Sequence, residues 1–165
     1  METVDKRYVR APARKVFEVA RQVENWPAYL KHYRYVRFRE RNPDGGGLVE
    51  MSANRPFRIA GQASLSWPTW WLSEMTVDES KPVIRFRHVG GITKGMDVEW
   101  TFTPAPNGTD VRIVHVWDGP RWPIVGVWAA MLVIGPVFVH GIASRTLAGL
   151  AAVVERETMS VPTEE

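Results

Sequence analysis

The sequence predicts an α+β fold in which a curved, seven-stranded antiparallel sheet wraps around a long C-terminal helix, with two short helices after the first strand. Three observations carry this reading. From Tyr33 to Asp118 apolar residues recur with period two, in runs separated by turn-forming clusters. Ahead of them stand one alternating run and two short helical patterns, and behind them the period becomes helical again. A sheet with one face to bury and one long helix to bury it against must curl around that helix, which leaves room for a cavity between the two.

Each element has its local reason. "TVDKRYVR" alternates as a strand, and Pro12 opens "PARKVFEVARQV", where Val16, Phe17, Val19, Ala20 and Val23 fall at helical spacing. Pro27 in "VENWPAYLKHY" is tolerable only in the first turn of a second short helix, with Asn25 as its cap and Trp26 at the joint. Strands follow near 34–42, 48–56, 64–77, 82–89, 95–104 and 109–118, punctuated by "NPDGGG", "RPFRIAGQ", "DESKP", "GGITK" and "PAPNG". After "DGPRWP" a helix runs from about Ile124 to Glu157, with a kink or break at Gly135 and Pro136. The expected organisation is a single ligand-binding domain over residues 1–158 and a flexible tail over 159–165.

Composition narrows the function classes. The absence of cysteine from 165 residues excludes disulfides and thiolate chemistry, and the N-terminal segment has no secretory pattern, so a cytoplasmic location is expected. A formal charge of +3 is a surplus that solubility explains, and no nucleic-acid motif accompanies it. Arg37, Arg39 and Arg41 in "YRYVRFRER" fall on one strand face, either a solvated surface or a dock for an acidic carrier protein. Trp122 to Ala143 approaches the roughly 20 apolar residues of a membrane span. Its two prolines, three glycines and His140 favour a buried helix whose end can touch a membrane peripherally. The chain is expected as a monomer or homodimer.

Parity sorts the strand residues. Met96, Val98, Trp100 and Phe102 share the inward face, as do Val111, Ile113, His115 and Trp117, and likewise Ile84, Phe86 and His88. Trp71, Ser73, Met75 and Val77 are placed inside, with Trp67 and Trp70 near the rim or the outside. Val49, Met51 and Ala53 form an inward row ending in Arg55, which would reach the cavity mouth. A turn at Asn107 and Gly108 would pair Trp100 with His115 and Val98 with Trp117; one through Asp78 to Lys81 would pair Trp71 with His88 and Ser73 with Phe86. On the long helix His140, Ala143, Leu147, Leu150, Ala151 and Val154 form the stripe facing the sheet, which would turn a third imidazole inward.

The eight tryptophans and these histidines admit two readings, a satisfied core or an aromatic-walled pocket with a few polar groups. Crowded indoles each need an acceptor for the N–H, which favours the pocket. No metal is expected, because the four histidines lie on separate elements without paired ligand spacing. Ser73 lacks the strand-turn-helix context of a hydrolase nucleophile, and the glycine clusters sit in hairpin turns rather than before a helix.

The stretches "APARKVFEVARQVENWPAYLKHY", "WWLSEM", "GMDVEWTF" and "NGTDVRIVHVW" resemble the polyketide cyclase/dehydrase branch of the START-like, pollen-allergen-like superfamily, which includes bacterial aromatase/cyclases and has the helix-grip fold. The resemblance spans roughly residues 4 to 156. It implies a deep cavity for an apolar or aromatic ligand, often a polyketone presented by an acyl carrier protein, and ring closure with dehydration without any cofactor. Tyr33 matches a pocket tyrosine of the aromatic cyclases and Ser73 the serine of their "WxS" strand. Where those enzymes often carry an arginine two residues later, this chain has Met75, which leaves Arg55, His88 or His115 to supply the donor. The implied catalytic group is His88, His115, Tyr33 and Arg55. The ligand would be lined by Trp26, Trp71, Ser73, Met75, Phe86, Met96, Trp100, Trp117 and His140. The alternative is a non-catalytic carrier of a lipid, quinone or pigment with the same cavity.

Overall fold

The computed structural model describes residues 1–57, 65–119 and 140–160, and for 55–57 and 65–67 the backbone alone. Strand β1 (Glu2–Val9) leads into α1 (Ala13–Arg21), a 3-10 turn (Val23–Asn25) and α2 (Trp26–Tyr29). Strands β2 (Tyr33–Arg41), β3 (Gly47–Phe57), β4 (Leu65–Asp78), β5 (Val83–Gly91), β6 (Asp97–Ala105) and β7 (Gly108–Val116) follow, and α3 (His140–Met159) ends the described elements. All seven strands form one antiparallel sheet in the order β1-β7-β6-β5-β4-β3-β2. This is the predicted architecture. The segment from Ile124 to residue 139, with the expected break at Gly135 and Pro136, lies outside the described residues, as does the tail from 161 onward. Among the described residues no helix is long and apolar enough to cross a membrane.

The core lies between the concave face of the sheet and α3, which buries Ala143, Thr146, Leu147, Leu150, Ala151 and Val154. Helix α1 covers one end, where Phe17 meets Phe102 edge to face with centroids 5.5 Å apart. At α2, Pro27 sits in the first turn, where its missing N–H costs nothing. Asn25 does not cap it: its Nδ2 donates to Gln22 Oε1 at 2.9 Å instead. Of the basic run, Arg37 and Arg39 both donate to Glu50, which also accepts from Tyr35, and Arg41 pairs with Glu24. Burial would raise the Glu50 pKa, but the hydrogen bonds of Tyr35, Arg39 and Arg37 outweigh it and hold the carboxyl at about 2. The expected cationic face is therefore largely neutralised by the chain's own carboxylates.

The inward parities hold while two registers differ. Ala105 pairs with Gly108, so Pro106 and Asn107 form the two-residue loop, and the positive φ of 59° at Asn107 fits the third position of a type II turn after proline. Trp100 accordingly pairs with Ile113 and Val98 with His115. Similarly Asp78 pairs with Val83, its carboxylate accepting from the Ser80 and Lys81 amides, which sets Ser73 opposite His88 and Met75 opposite Phe86. Both shifts are of two residues, and side chains alternate with period two, so the inward set survives unchanged. His88 and His115 are not on adjacent strands; β6 runs between them.

A bulge at Val89 separates the pairs Ser73 with His88 and Leu72 with Gly90. Gly91 beside it has φ +85°, and a Cβ there would lie 2.4 Å from the Trp70 carbonyl oxygen and 2.7 Å from Trp71 Cα. Gly91→Ala is expected to cost roughly 2 kcal/mol or more, combining a left-handed backbone with a backbone clash. A urea midpoint equal to that of the parent protein would show that the bulge relaxes freely.

Candidate functional site

A cavity of about 70 Å³ lies between the sheet and α3. The strands supply Met51, Trp71, Phe86, Met96, Val98, Trp100 and Ile113 to its wall. Trp26 of α2 and Ile142, Ala143 and Thr146 of α3 also line it. The polar groups in the wall are Tyr33, His88, Thr93, His115 and Thr146. The rings form a continuous lining, with Trp26 centred 5.3 Å from Tyr33 and 5.6 Å from Trp100, and Trp71 stacked 6.0 Å from His88. Small-molecule sites usually enclose roughly 300–1,000 Å³, so room for a multi-ring ligand would require wall side chains to retract. Met51 and Met96, unbranched and adaptable, are suited to that.

Burial governs the chemistry of the polar groups. His88 Nδ1 lies 2.6 Å from Thr93 Oγ1, which leaves Nε2 as the ring edge without a partner among the described residues. Burial, reinforced by nearby His115, pushes the His88 pKa down to about 3. Burial alone lowers His115 to about 4, and its Nδ1 is buried without a partner among the described residues. An orphaned acceptor is more tolerable than an orphaned N–H, which favours the tautomer with the proton on Nε2. Both imidazoles are neutral near pH 7. Burial raises the phenol pKa of Tyr33, and its hydroxyl lies 3.4 Å from Thr146 Oγ1.

The structure brings Tyr33, His88, His115, Trp26, Trp71, Phe86, Met96 and Trp100 together in one wall. Ser73, Met75 and Trp117 are buried but are not among the residues that line the cavity. Trp117 donates its Nε1–H to the Lys94 carbonyl at 3.1 Å, and Ser73 Oγ has no partner among the described residues. The side chains of Arg55 and Trp67 lie outside the described residues. His140 is not turned inward: its side chain is 64% exposed and its Nδ1 lies 2.5 Å from Asp5 Oδ1 on β1. The physical reason is helical phase, since His140, Ser144 and Leu147 run along the β1 edge, while Ile142, Ala143 and Thr146 face the cavity. Sequence reading missed Thr146, three residues after Ala143 and so on the expected face, because the stripe was read from apolar residues. Thr93 sits in the β5–β6 turn, where periodicity gives no signal. Among the described residues no three His, Asp or Glu side chains gather as metal ligands.

A curved antiparallel sheet wrapped around its covering helix is the helix-grip fold. Residues 9–135 match the family model described as polyketide cyclase/dehydrase and lipid transport, and the chain belongs to that family. A putative polyketide cyclase of Streptomyces halstedii is 26% identical over 106 residues, covering 63% of this chain and 89% of that protein. The actinorhodin polyketide synthase bifunctional cyclase/dehydratase of Streptomyces coelicolor is 29% identical over 110 residues, 64% of this chain but only 31% of that protein. The crystal structure of the Zhui aromatase/cyclase from Streptomyces sp. R1128 superposes with a TM-score of 0.80 at 18% identity, covering 97% of this chain and 96% of that one. That likeness concerns the fold.

Proposed function

We propose that this protein is a cyclase/dehydratase that folds a polyketone within the cavity and promotes aldol ring closure and loss of water. The observation that carries the reading is the meeting of Tyr33, His88 and His115 in one aromatic-lined cavity, in a chain of this family. A neutral imidazole takes a proton from a carbon between two carbonyls, leaving an enolate. The enolate carbon attacks a second carbonyl, and the new alkoxide takes the proton back from the imidazolium, which restores the neutral ring. An imidazole then takes the remaining proton from the carbon between the carbonyls and passes it to the hydroxyl, which leaves as water as the carbon–carbon double bond forms. Burial makes these histidines weak bases but strong conjugate acids, so they suit the expulsion of water best. Tyr33 contacts a ligand oxygen, and Trp71 and Trp100 hold the flexible chain with reacting carbons adjacent. Arg55 remains the candidate cation for a developing oxyanion. Presentation by an acyl carrier protein belongs to the same proposal; with Arg37 and Arg39 engaged on Glu50, its contact surface would lie elsewhere.

The second reading is a non-catalytic carrier of an apolar ligand, favoured by Met75 in the place where related cyclases carry arginine. Incubation with polyketone thioesters, read by mass spectrometry for cyclised product alongside tryptophan quenching, separates the two. Product with a mass lower by one water supports the enzyme. Quenching without product supports the carrier.

A further inference from the structure

Two hydrogen-bond donors of the cavity lining have no acceptor among the described residues. Trp26 lines the cavity and is 2% exposed, and its indole Nε1–H is buried without a partner. Its ring neighbours are Tyr33, with centroids 5.3 Å apart, and Trp100, at 5.6 Å, and the edge-to-face approach to Tyr33 offers at most a weak aromatic acceptor. A buried indole N–H ordinarily finds an oxygen. Trp117 does so, donating to the Lys94 carbonyl at 3.1 Å. Tyr33 is the second donor: its oxygen accepts from Thr146 Oγ1 at 3.4 Å, which leaves its own proton without an acceptor. Burial outweighs that contact and raises the phenol pKa, so the proton is present near pH 7. No lysine or arginine stands among the described residues of the lining, so a ligand oxygen that gains negative charge there meets neutral donors.

We infer that the Trp26 Nε1–H, beside the Tyr33 hydroxyl, is a donor for a ligand carbonyl, so that the two rings form a subsite for the oxygen on which charge collects as the enolate forms. Its part in binding needs only the cavity; its part in turnover deepens the cyclase reading and rests on it. Donors fixed in an apolar lining need little reorganisation and bond more strongly as the carbonyl oxygen becomes an enolate. The preferred ligand therefore carries a ketone or aldehyde oxygen on an aromatic or polyketone frame. A hydrocarbon of the same outline leaves both donors unpaired.

Titration of the full chain with 2-naphthaldehyde and 2-vinylnaphthalene, which share a shape and differ in the oxygen, tests this. The indole N–H NMR signal of Trp26, identified by its absence in Trp26→Phe, should move further downfield with the aldehyde than with the vinyl compound, ring-current effects being common to both. By calorimetry, replacing Trp26 with benzothienylalanine, whose sulfur takes the place of the N–H, should lower the ratio of aldehyde to vinyl affinity about tenfold, the usual contribution of one such hydrogen bond. A purely structural role would weaken both ligands alike and keep the ratio. An N–H signal that responds identically to the two ligands, or an unchanged ratio, would overturn the inference; the first readout uses the parent protein and decides the matter if the variant does not fold. Binding of neither ligand would overturn the cavity reading itself, and the inference with it. Carbonyl preference in a protein that yields no cyclised thioester product would retain the subsite and remove its part in turnover.

Discussion

The double variant His88→Gln, His115→Gln is expected to lose polyketone cyclisation by at least about 100-fold, the usual contribution of general acid–base catalysis, while ligand uptake stays near that of the parent. Glutamine retains a polar amide of comparable reach but cannot exchange a proton near neutral pH. The rings of Trp26, Trp71 and Trp100 line the cavity, and the substitutions leave them in place. Thr93 Oγ1, 2.6 Å from His88 Nδ1, would still find a partner in the glutamine amide, so the wall should keep its shape. Because either imidazole could carry the proton, single variants should lose less than the pair. Undiminished turnover in the double variant would remove the acid–base part of the proposal and leave ring closure to proximity alone.

The second large effect is a loss of stability in mild acid. The folded-state pKa values of His88, His115 and His32 lie at about 3, 4 and 4. All three are below the ordinary value near 6.5, so between the folded and unfolded values the unfolded chain binds more protons. Their stabilising contribution is complete above about pH 6.5 and is lost progressively as pH falls toward 4 and 3, at up to about 1.4 kcal/mol per pH unit for each proton taken up. Asp5 acts in the opposite direction, because burial raises its pKa despite His140 beside it. Glu50, held at about 2, loses its contribution only lower, as pH falls from about 4.5 through 2. Urea unfolding between pH 7 and 5 should therefore show a falling midpoint, with a shallower slope in His115→Gln. A flat profile over this range would mean that the imidazoles reach water or find charged partners.

Fold and cavity wall were legible in the sequence to the extent that period-two alternation governs them. Met96, Val98, Trp100, Ile113, His115, Phe86, His88 and Trp71 all face the expected side, since parity depends only on where a strand runs. Register depends on which residues make the turn, and at Pro106–Asn107 and at Asp78 the turn chemistry placed the hairpin ends one residue away from the simplest reading, shifting each partner by two. His140 was misplaced because a helical stripe is broad enough to span both the β1 edge and the cavity, and Asp5 drew the imidazole to the edge. Thr146 escaped notice for the complementary reason, a polar residue on a face read through its apolar neighbours. The arginines of β2 looked free because their partner Glu50 comes from the adjacent strand, a pairing that only the sheet reveals.

The most direct test of a ligand-receiving hollow between the sheet and α3 is the response of individual indole N–H signals in an NMR titration with 2-naphthol. Trp26, Trp71 and Trp100 line the cavity, whereas Trp70 is 53% exposed on the opposite face of β4 and serves as an internal control. The three cavity signals should shift together and saturate with one ligand per chain while Trp70 stays in place. Movement confined to Trp70, with Trp26, Trp71 and Trp100 unchanged at saturating ligand, would contradict binding between the sheet and the helix.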